Sequence, residues 1–284
     1  DGYHTSGEII EVDASYTGQE REPVIELDYG FYNKPVIIEI SKTDIVTGKE
    51  VIGATLTVTD SDGNVVDEWV TDGTKHYIKH LLLGETYTLT EVLPGDGYVT
   101  ANDVTFTVLD TDEDGIVEVQ KVEMVDDYTK VIIRKEDIET AESVITAGLE
   151  LRNEEDEVVL AWTTSEEGEI HILNEAADID YEVEGGEIFV AYLPIGTYTL
   201  YEVVTPFEDG YVTADPMKVV VEDTAEVQNF VMQDDFTKLE ISKVDITTKE
   251  ELPGAHLVIT DDEGNVVEEW TSTEETHYIE RLPV

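Results

Sequence analysis

Apolar and polar residues alternate with a period of two along most of this chain. Val36, Ile38 and Ile40 share one parity of their segment, as do Val131 and Ile133, Tyr87 and Leu89, and Val122 and Met124. Side chains on a strand point to opposite faces in turn, so this alternation predicts half-buried strands. The segments are short, rich in Val, Ile, Thr and Tyr, and divided by turn signals such as Asp62-Gly63-Asn64 and Glu263-Gly264-Asn265. Helical periodicity is absent, with Asn174–Ile179 the one stretch where a helical turn is an option. Roughly seven short strands per hundred residues predict an all-β chain of tandem antiparallel β-sandwiches of immunoglobulin-like or prealbumin-like type.

The alternating segments repeat. VIIEISKTDIVTGKE (36–50), VIIRKEDIET (131–140) and LEISKVDITTKEE (239–251) align Lys42, Lys135 and Lys243 at spacings of about one domain, near 100 residues. YTLTEVLPGDGYVTA (87–101) matches YTLYEVVTPFEDGYVTA (198–214), and VEMVDDYTK (122–130) matches FVMQDDFTK (230–238). The order predicts beads on a string: 1–34 as the C-terminal part of a preceding repeat, 35–127 and 128–235 as complete repeats, and 236–284 as the N-terminal part of a further one. The second complete repeat carries an insertion. The expectation is a window from a longer array, with complementary half-domains pairing between neighbouring molecules as the alternative.

Parity also places charge where a core should be. Lys42 continues the row Val36, Ile38, Ile40, and Lys135 continues Val131, Ile133. Glu91 follows Tyr87 and Leu89, Glu202 follows Tyr198 and Leu200, Asp126 follows Val122 and Met124, and Asp234 follows Phe230 and Met232. Asn33 ends the equivalent row after Tyr29 and Phe31. Unpaired ionised groups cost several kcal/mol each to bury, roughly, so such a set must be paired, exposed or chemically neutralised. Burial disfavours the charged forms of amines and carboxyls alike. A neutral Lys amine could then attack the Asp carboxyl carbon while Glu relays protons, leaving a side-chain amide. A salt-bridged, partly solvated cluster at the strand ends is the plainer alternative.

The combination resembles the collagen-adhesin B-type, or SpaA-like, repeat domains of Gram-positive surface proteins and pilins. The resemblance spans essentially the whole chain. It implies prealbumin-like sandwiches in which a first-strand Lys bonds to a last-strand Asn or Asp, assisted by a Glu in a YxLxE strand followed by Pro and Gly-Tyr. Lys42, Glu91 and Asp126, with Pro94 and Gly97-Tyr98, match that pattern, as do Lys135, Glu202 and Asp234, with Pro206 and Gly210-Tyr211. Asn33 and Lys243 are the candidates in the partial repeats. Asp127 and Asp235 follow the partner positions directly, and parity favours the first Asp of each pair. Arg134 and Glu136 flank Lys135 where other copies have Ser and Thr or Val. The resemblance further implies a secreted stalk, adhesin or pilus segment on a Gram-positive cell surface, non-enzymatic beyond one self-directed turnover, whose partners are neighbouring repeats and neighbouring fibre subunits.

Composition narrows the picture. With 67 acidic against 16 basic residues and a net charge of −51, the chain opposes phosphate backbones and anionic membranes, so nucleic-acid and membrane contacts are not expected. There is no Cys, hence no disulfide or thiolate chemistry. No metal or other cofactor is expected. Asp110, Asp112, Asp114 and Gly115 resemble the start of a calcium loop, but Lys121 stands where an EF-hand needs Glu, favouring an acidic hairpin. Trp69, Trp162 and Trp270 read as packing anchors, and His76 and His277 lack metal-ligand spacing. Two rival functions are a carboxylate-pair glycosidase, disfavoured by core-facing carboxyls, and an adhesin module whose loops bind a host glycan or matrix protein without any cross-link.

Overall fold

The computed structural model describes residues 35–110, 112–113, 116–117 and 119–283. Nine strands form the first repeat: β1 (Ile37–Asp44), β2 (Ile52–Thr59), β3 (Val65–Asp72), β4 (His76–Lys79), β5 (Thr86–Leu93), β6 (Val104–Thr107), β7 (Asp112–Glu113), β8 (Ile116–Val117) and β9 (Gln120–Asp126). One sheet has the order β4-β1-β9 and the other β3-β2-β5-β6, with β7-β8 a short ribbon. The inward residues of both sheets, among them Ile38, Ile40, Leu56, Val58, Leu89 and Met124, form one core between them. Burial alternates as the sequence parity requires, with Val122, Met124 and Asp126 buried along β9 and the residues between them largely exposed.

The second repeat contains β10 (Lys130–Asp137), β11 (Gly148–Arg152), β12 (Val158–Thr163), β13 (Glu169–Ile172), β14 (Glu187–Ala191), β15 (Gly196–Val204), β16 (Tyr211–Val212), β17 (Met217–Val221) and β18 (Val227–Phe236). Its sheets run β13-β14-β10-β18-β16 and β12-β11-β15-β17 around an equivalent core. In the third, β19 (Lys238–Ile241) pairs with β22 (His277–Glu280), and β20 (His256–Thr260) with β21 (Val266–Thr271).

Most pairings are antiparallel, as expected, but the opening and closing strands of each complete repeat run parallel, β1 with β9 and β10 with β18. Parallel neighbours need a long connection. Here the rest of the repeat provides it, so the entry and exit strands lie side by side in one sheet while the chain enters and leaves at opposite ends of the pair.

The insertion forms no helix at Asn174–Ile179. It makes a turn and then an extended segment in which Ala177, Ile179, Tyr181 and Val183 face inward while Asp178, Asp180, Glu182 and Glu184 face solvent. A period of two cannot form a helical stripe. The segment covers the outer side of the five-stranded sheet, and Tyr181 stacks on Phe189 at 3.9 Å and 6°. With Ile188 and Val190 in the sandwich core and Phe189 and Ala191 under this cover, every residue of β14 is buried.

Candidate functional site

Strand register brings the chemistry together. In the parallel β1·β9 pair Lys42 lies opposite Met124, and Asp44 opposite Asp126, so Lys42 and Asp126 are diagonal neighbours on the core-facing side. Glu91 reaches them from β5 in the facing sheet. The second repeat reproduces this: Lys135 opposes Met232, Asp234 lies two residues further along β18, and Glu202 projects from β15. None of the six side-chain-bearing residues is more than 8% exposed, and Lys42 and Lys135 are the largest fully buried side chains in the described structure.

The Nζ of Lys42 contacts Oδ1 of Asp126 and lies 3.0 Å from Oε1 of Glu91. Lys135 Nζ contacts Asp234 Oδ1, with Glu202 Oε1 at 3.7 Å. The far oxygen of each Glu is fixed by backbone, Glu91 Oε2 accepting from the Ala101 N–H at 2.6 Å and Glu202 Oε2 from the Ala214 N–H at 2.7 Å. Each Glu is thereby held facing its Lys–Asp pair. Apart from its ion pair with Lys, the near Glu oxygen has no hydrogen-bond partner among the described residues in either repeat, and neither has Oδ2 of the Asp.

Two ionised carboxylates around one ammonium would leave a net negative charge in an apolar, water-excluded space. A single retained proton removes it and satisfies an orphan oxygen. Burial is the main influence on Asp126, pushing its carboxyl up to about 7 against the lowering pull of Lys42, and neighbouring Glu91 reinforces the rise. Asp234 is pushed up to about 6 for the same reasons, opposed by Lys135 and reinforced by Glu202. The site therefore holds an amine and a protonatable carboxyl in contact, with a second carboxyl alongside.

The second Asp of each pair lies outside this cluster. Asp127 pairs with Lys130 at 2.7 Å, and Asp235 with Lys238 at 3.0 Å, both toward solvent. Arg134 turns outward to Glu187 at 2.5 Å. Lys243 is half-buried and makes no ion pair among the described residues, while Asn33 lies outside them. The calcium-like segment falls largely outside them too, since Asp114, Gly115 and the side chain of Asp112 are not described. Trp69 stacks on His76 at 4.0 Å and Trp270 on His277 at 4.3 Å, each linking consecutive strands that lie in different sheets, while Trp162 is buried in the second core.

Two acidic positions went unread in the sequence. Glu50 accepts from the Lys42 N–H at 3.0 Å and from Ser41 Oγ at 2.5 Å, and Glu251 accepts from the Lys243 N–H at 3.1 Å. Each follows its Lys at the same offset, which is the signal. Asp44, Asp137 and Asp245, each two residues after a site Lys, all cap the turn that follows, as when Asp44 Oδ1 accepts from the Val46 and Thr47 N–H groups at 2.7 and 2.6 Å.

The family model for the SpaA prealbumin-like fold domain matches residues 36–124, 129–235 and 237–283. No curated protein sequence matches the chain. Among solved structures, the Bacillus anthracis TIE protein is similar at 20% identity and a TM-score of 0.44, over 87% of this chain and 43% of that one, so the chain spans less than half of that protein's length. The shaft pilin SpaA of Lactobacillus rhamnosus GG is similar at 14% identity and a TM-score of 0.32, over 71% of this chain and 98% of that one. A streptococcal ancillary pilin is similar at 18% identity and a TM-score of 0.34, over 87% of each chain.

Proposed function

The chain belongs to the family of SpaA prealbumin-like fold domains, and from that premise we propose that it is a stalk segment of a Gram-positive cell-surface adhesin or pilus, stiffened by self-formed Lys42–Asp126 and Lys135–Asp234 amide bonds. The observation that carries the proposal is the same closed Lys–Glu–Asp cluster in both complete repeats. Ordinary salt bridges gain little from full burial, because desolvation offsets their attraction.

The reaction is a condensation. The Lys42 ammonium gives a proton to the carboxyl pair, and the resulting amine attacks Cγ of the protonated Asp126 carboxyl. The N–C bond forms as a carboxyl C–O bond breaks, and that oxygen leaves as water with one proton from the amine and one from the carboxyl. Glu91 takes the ammonium's proton and relays the second nitrogen proton to the departing oxygen; because the nitrogen loses two protons and water carries away only one of them, Glu91 ends protonated. Fixed geometry supplies an effective molarity on the order of 10⁵ M or more, and the dry site hinders hydrolysis. Both carboxyls are closed inside the core, where no external sugar could reach them, which argues against a glycosidase.

Topology gives the bond a mechanical role. Tension enters a repeat at the start of β1 and leaves at the end of β9, so it loads two adjacent parallel strands in shear. A bond near their C-terminal ends passes the force from Lys42 to Asp126, and the polypeptide between them stays folded. Single-molecule pulling tests this: the wild-type first repeat is expected to show no extension of the segment between the linked residues. Glu91→Ala is expected to release 84 residues, roughly 280–300 Å of contour. Full release in the wild type would refute the stalk mechanism.

A further inference from the structure

A second set of buried groups lies between the repeats. Asp44 is 2% exposed, and its Oδ2 accepts from Tyr98 Oη of its own repeat and from Tyr192 Oη of the next, each at 2.8 Å. Asp137 is 1% exposed and its Oδ2 meets the Arg281 guanidinium of the third repeat at 2.6 Å. Tyr192 and Arg281 occupy the same place in their repeats, just after the strand that pairs with the opening strand. Both are non-glycine residues in the left-handed region, at φ 62° and 60°. That conformation is strained for a residue with a side chain, and Gly would avoid the strain but could not reach the Asp.

The receiving surface is shaped for this residue. A Cβ on Gly97 would come within 2.4 Å of the Tyr192 carbonyl oxygen, and one on Gly210 within 2.4 Å of the Arg281 carbonyl carbon. Backbone bonds close the same loop at both joints: Thr129 N–H to Gly97 O at 3.0 Å and Tyr192 N–H to Thr129 O at 3.1 Å, then Thr237 N–H to Gly210 O at 2.8 Å and Arg281 N–H to Thr237 O at 2.9 Å. At the first joint Asp223 also accepts from the Thr100 N–H and hydroxyl at 2.8 and 2.6 Å.

We propose that the end face of each repeat is a docking socket, built from the Asp two residues after the site Lys and from the Gly-Tyr turn, whose partner is the strained donor residue of the following repeat. The sockets lock neighbouring repeats into one orientation, independently of any cross-link. Their chemistry differs. The first joint uses neutral phenols on a carboxylate, backed by Tyr128 stacked on Tyr192 at 4.6 Å. The second uses an ion pair, with Arg281 also over the Phe236 ring at 4.0 Å and its side chain 33% exposed.

The cysteine-free chain allows a direct test by pulsed electron–electron resonance on the full chain, with spin labels at Asp62→Cys and Glu155→Cys for the first joint and at Glu155→Cys and Glu263→Cys for the second. Asp44→Asn and Asp137→Asn are the informative variants, because Oδ1 can still cap the local turn while the acceptor for the next repeat becomes an amide nitrogen. Tyr192→Phe and Arg281→Gln approach each joint from the other side. Narrow distance distributions are expected at both joints, broadened at the first only by Asp44→Asn or Tyr192→Phe and at the second only by Asp137→Asn or Arg281→Gln. Salt at about 1 M, where the screening length falls to about 3 Å, is expected to broaden only the second. Broad wild-type distributions, or distributions unmoved by all four variants, would overturn the proposal. An unaltered intact mass in the variants keeps this result separate from the cross-link question.

Discussion

At the scale of single residues, what matters is which protons the buried carboxyls keep. A raised pKa in the folded, unreacted repeat means that folding favours the protonated Asp. That contribution to stability is complete below the ordinary Asp range and is lost as pH rises through about 7 for Asp126 and about 6 for Asp234. Only the protonated carboxyl is a competent electrophile. Cross-linking after dilution of unfolded chain into buffer is therefore predicted to slow above about pH 6 in the second repeat and about pH 7 in the first, followed by intact mass at timed intervals. Equal rates at acidic and alkaline pH would contradict this reading. Asp127→Ala, which removes a carboxylate that meets Lys130 and the Tyr128 N–H outside the cluster, is predicted to leave the first bond intact, whereas Asp126→Ala is predicted to abolish it. Peptide mapping distinguishes the two.

At the scale of elements, each strand's parity carried most of the information. Lys42 and Asp126 could be assigned to the core side from their apolar neighbours two and four residues away, because that periodicity is a local property of the backbone. The parallel pairing of β1 with β9 was not legible, since strand partners distant in sequence leave no local mark. The insertion was legible but missed: Ala177-Asp178-Ile179-Asp180-Tyr181-Glu182-Val183-Glu184 alternates as cleanly as any strand, and the helical option at its start obscured this. It lacks a ladder, and its backbone bonds close only the turns at its ends, so Tyr181→Ala is predicted to cost the second repeat about 2–3 kcal/mol through loss of the Phe189 stack. Denaturant unfolding should show that loss with the first repeat unchanged, and no shift would mean the segment is a passive cover. The Asp sockets escaped notice because Asp44 and Asp137 look like ordinary turn caps, and their second oxygens meet the following repeat only in the folded array.

At the scale of the whole molecule, an acidic chain without cysteine takes its long-range order, on the proposed reading, from side-chain cross-links inside its sandwiches and from donor–acceptor locks between them. Closing a loop of 84 residues removes about 4.6 kcal/mol of unfolded-chain freedom by the entropy estimate used for disulfides. Loss of the bond in Glu91→Ala is accordingly predicted to lower the melting temperature of the first repeat by tens of degrees, since each kcal/mol shifts a domain of this size by about 4–8 °C. Calorimetry would register that as a separate early transition, with the second repeat's transition in place. A single unchanged transition would remove the stabilising role assigned to the bond.

The most direct test of the central claim is the intact mass of the purified chain and of Glu91→Ala and Glu202→Ala. The account predicts a wild-type mass two waters below the sequence value, one for each complete repeat, with each substitution restoring one. A wild-type mass equal to the full sequence value would show that Lys42 and Lys135 are only salt-bridged, and the self-formed cross-link would be excluded.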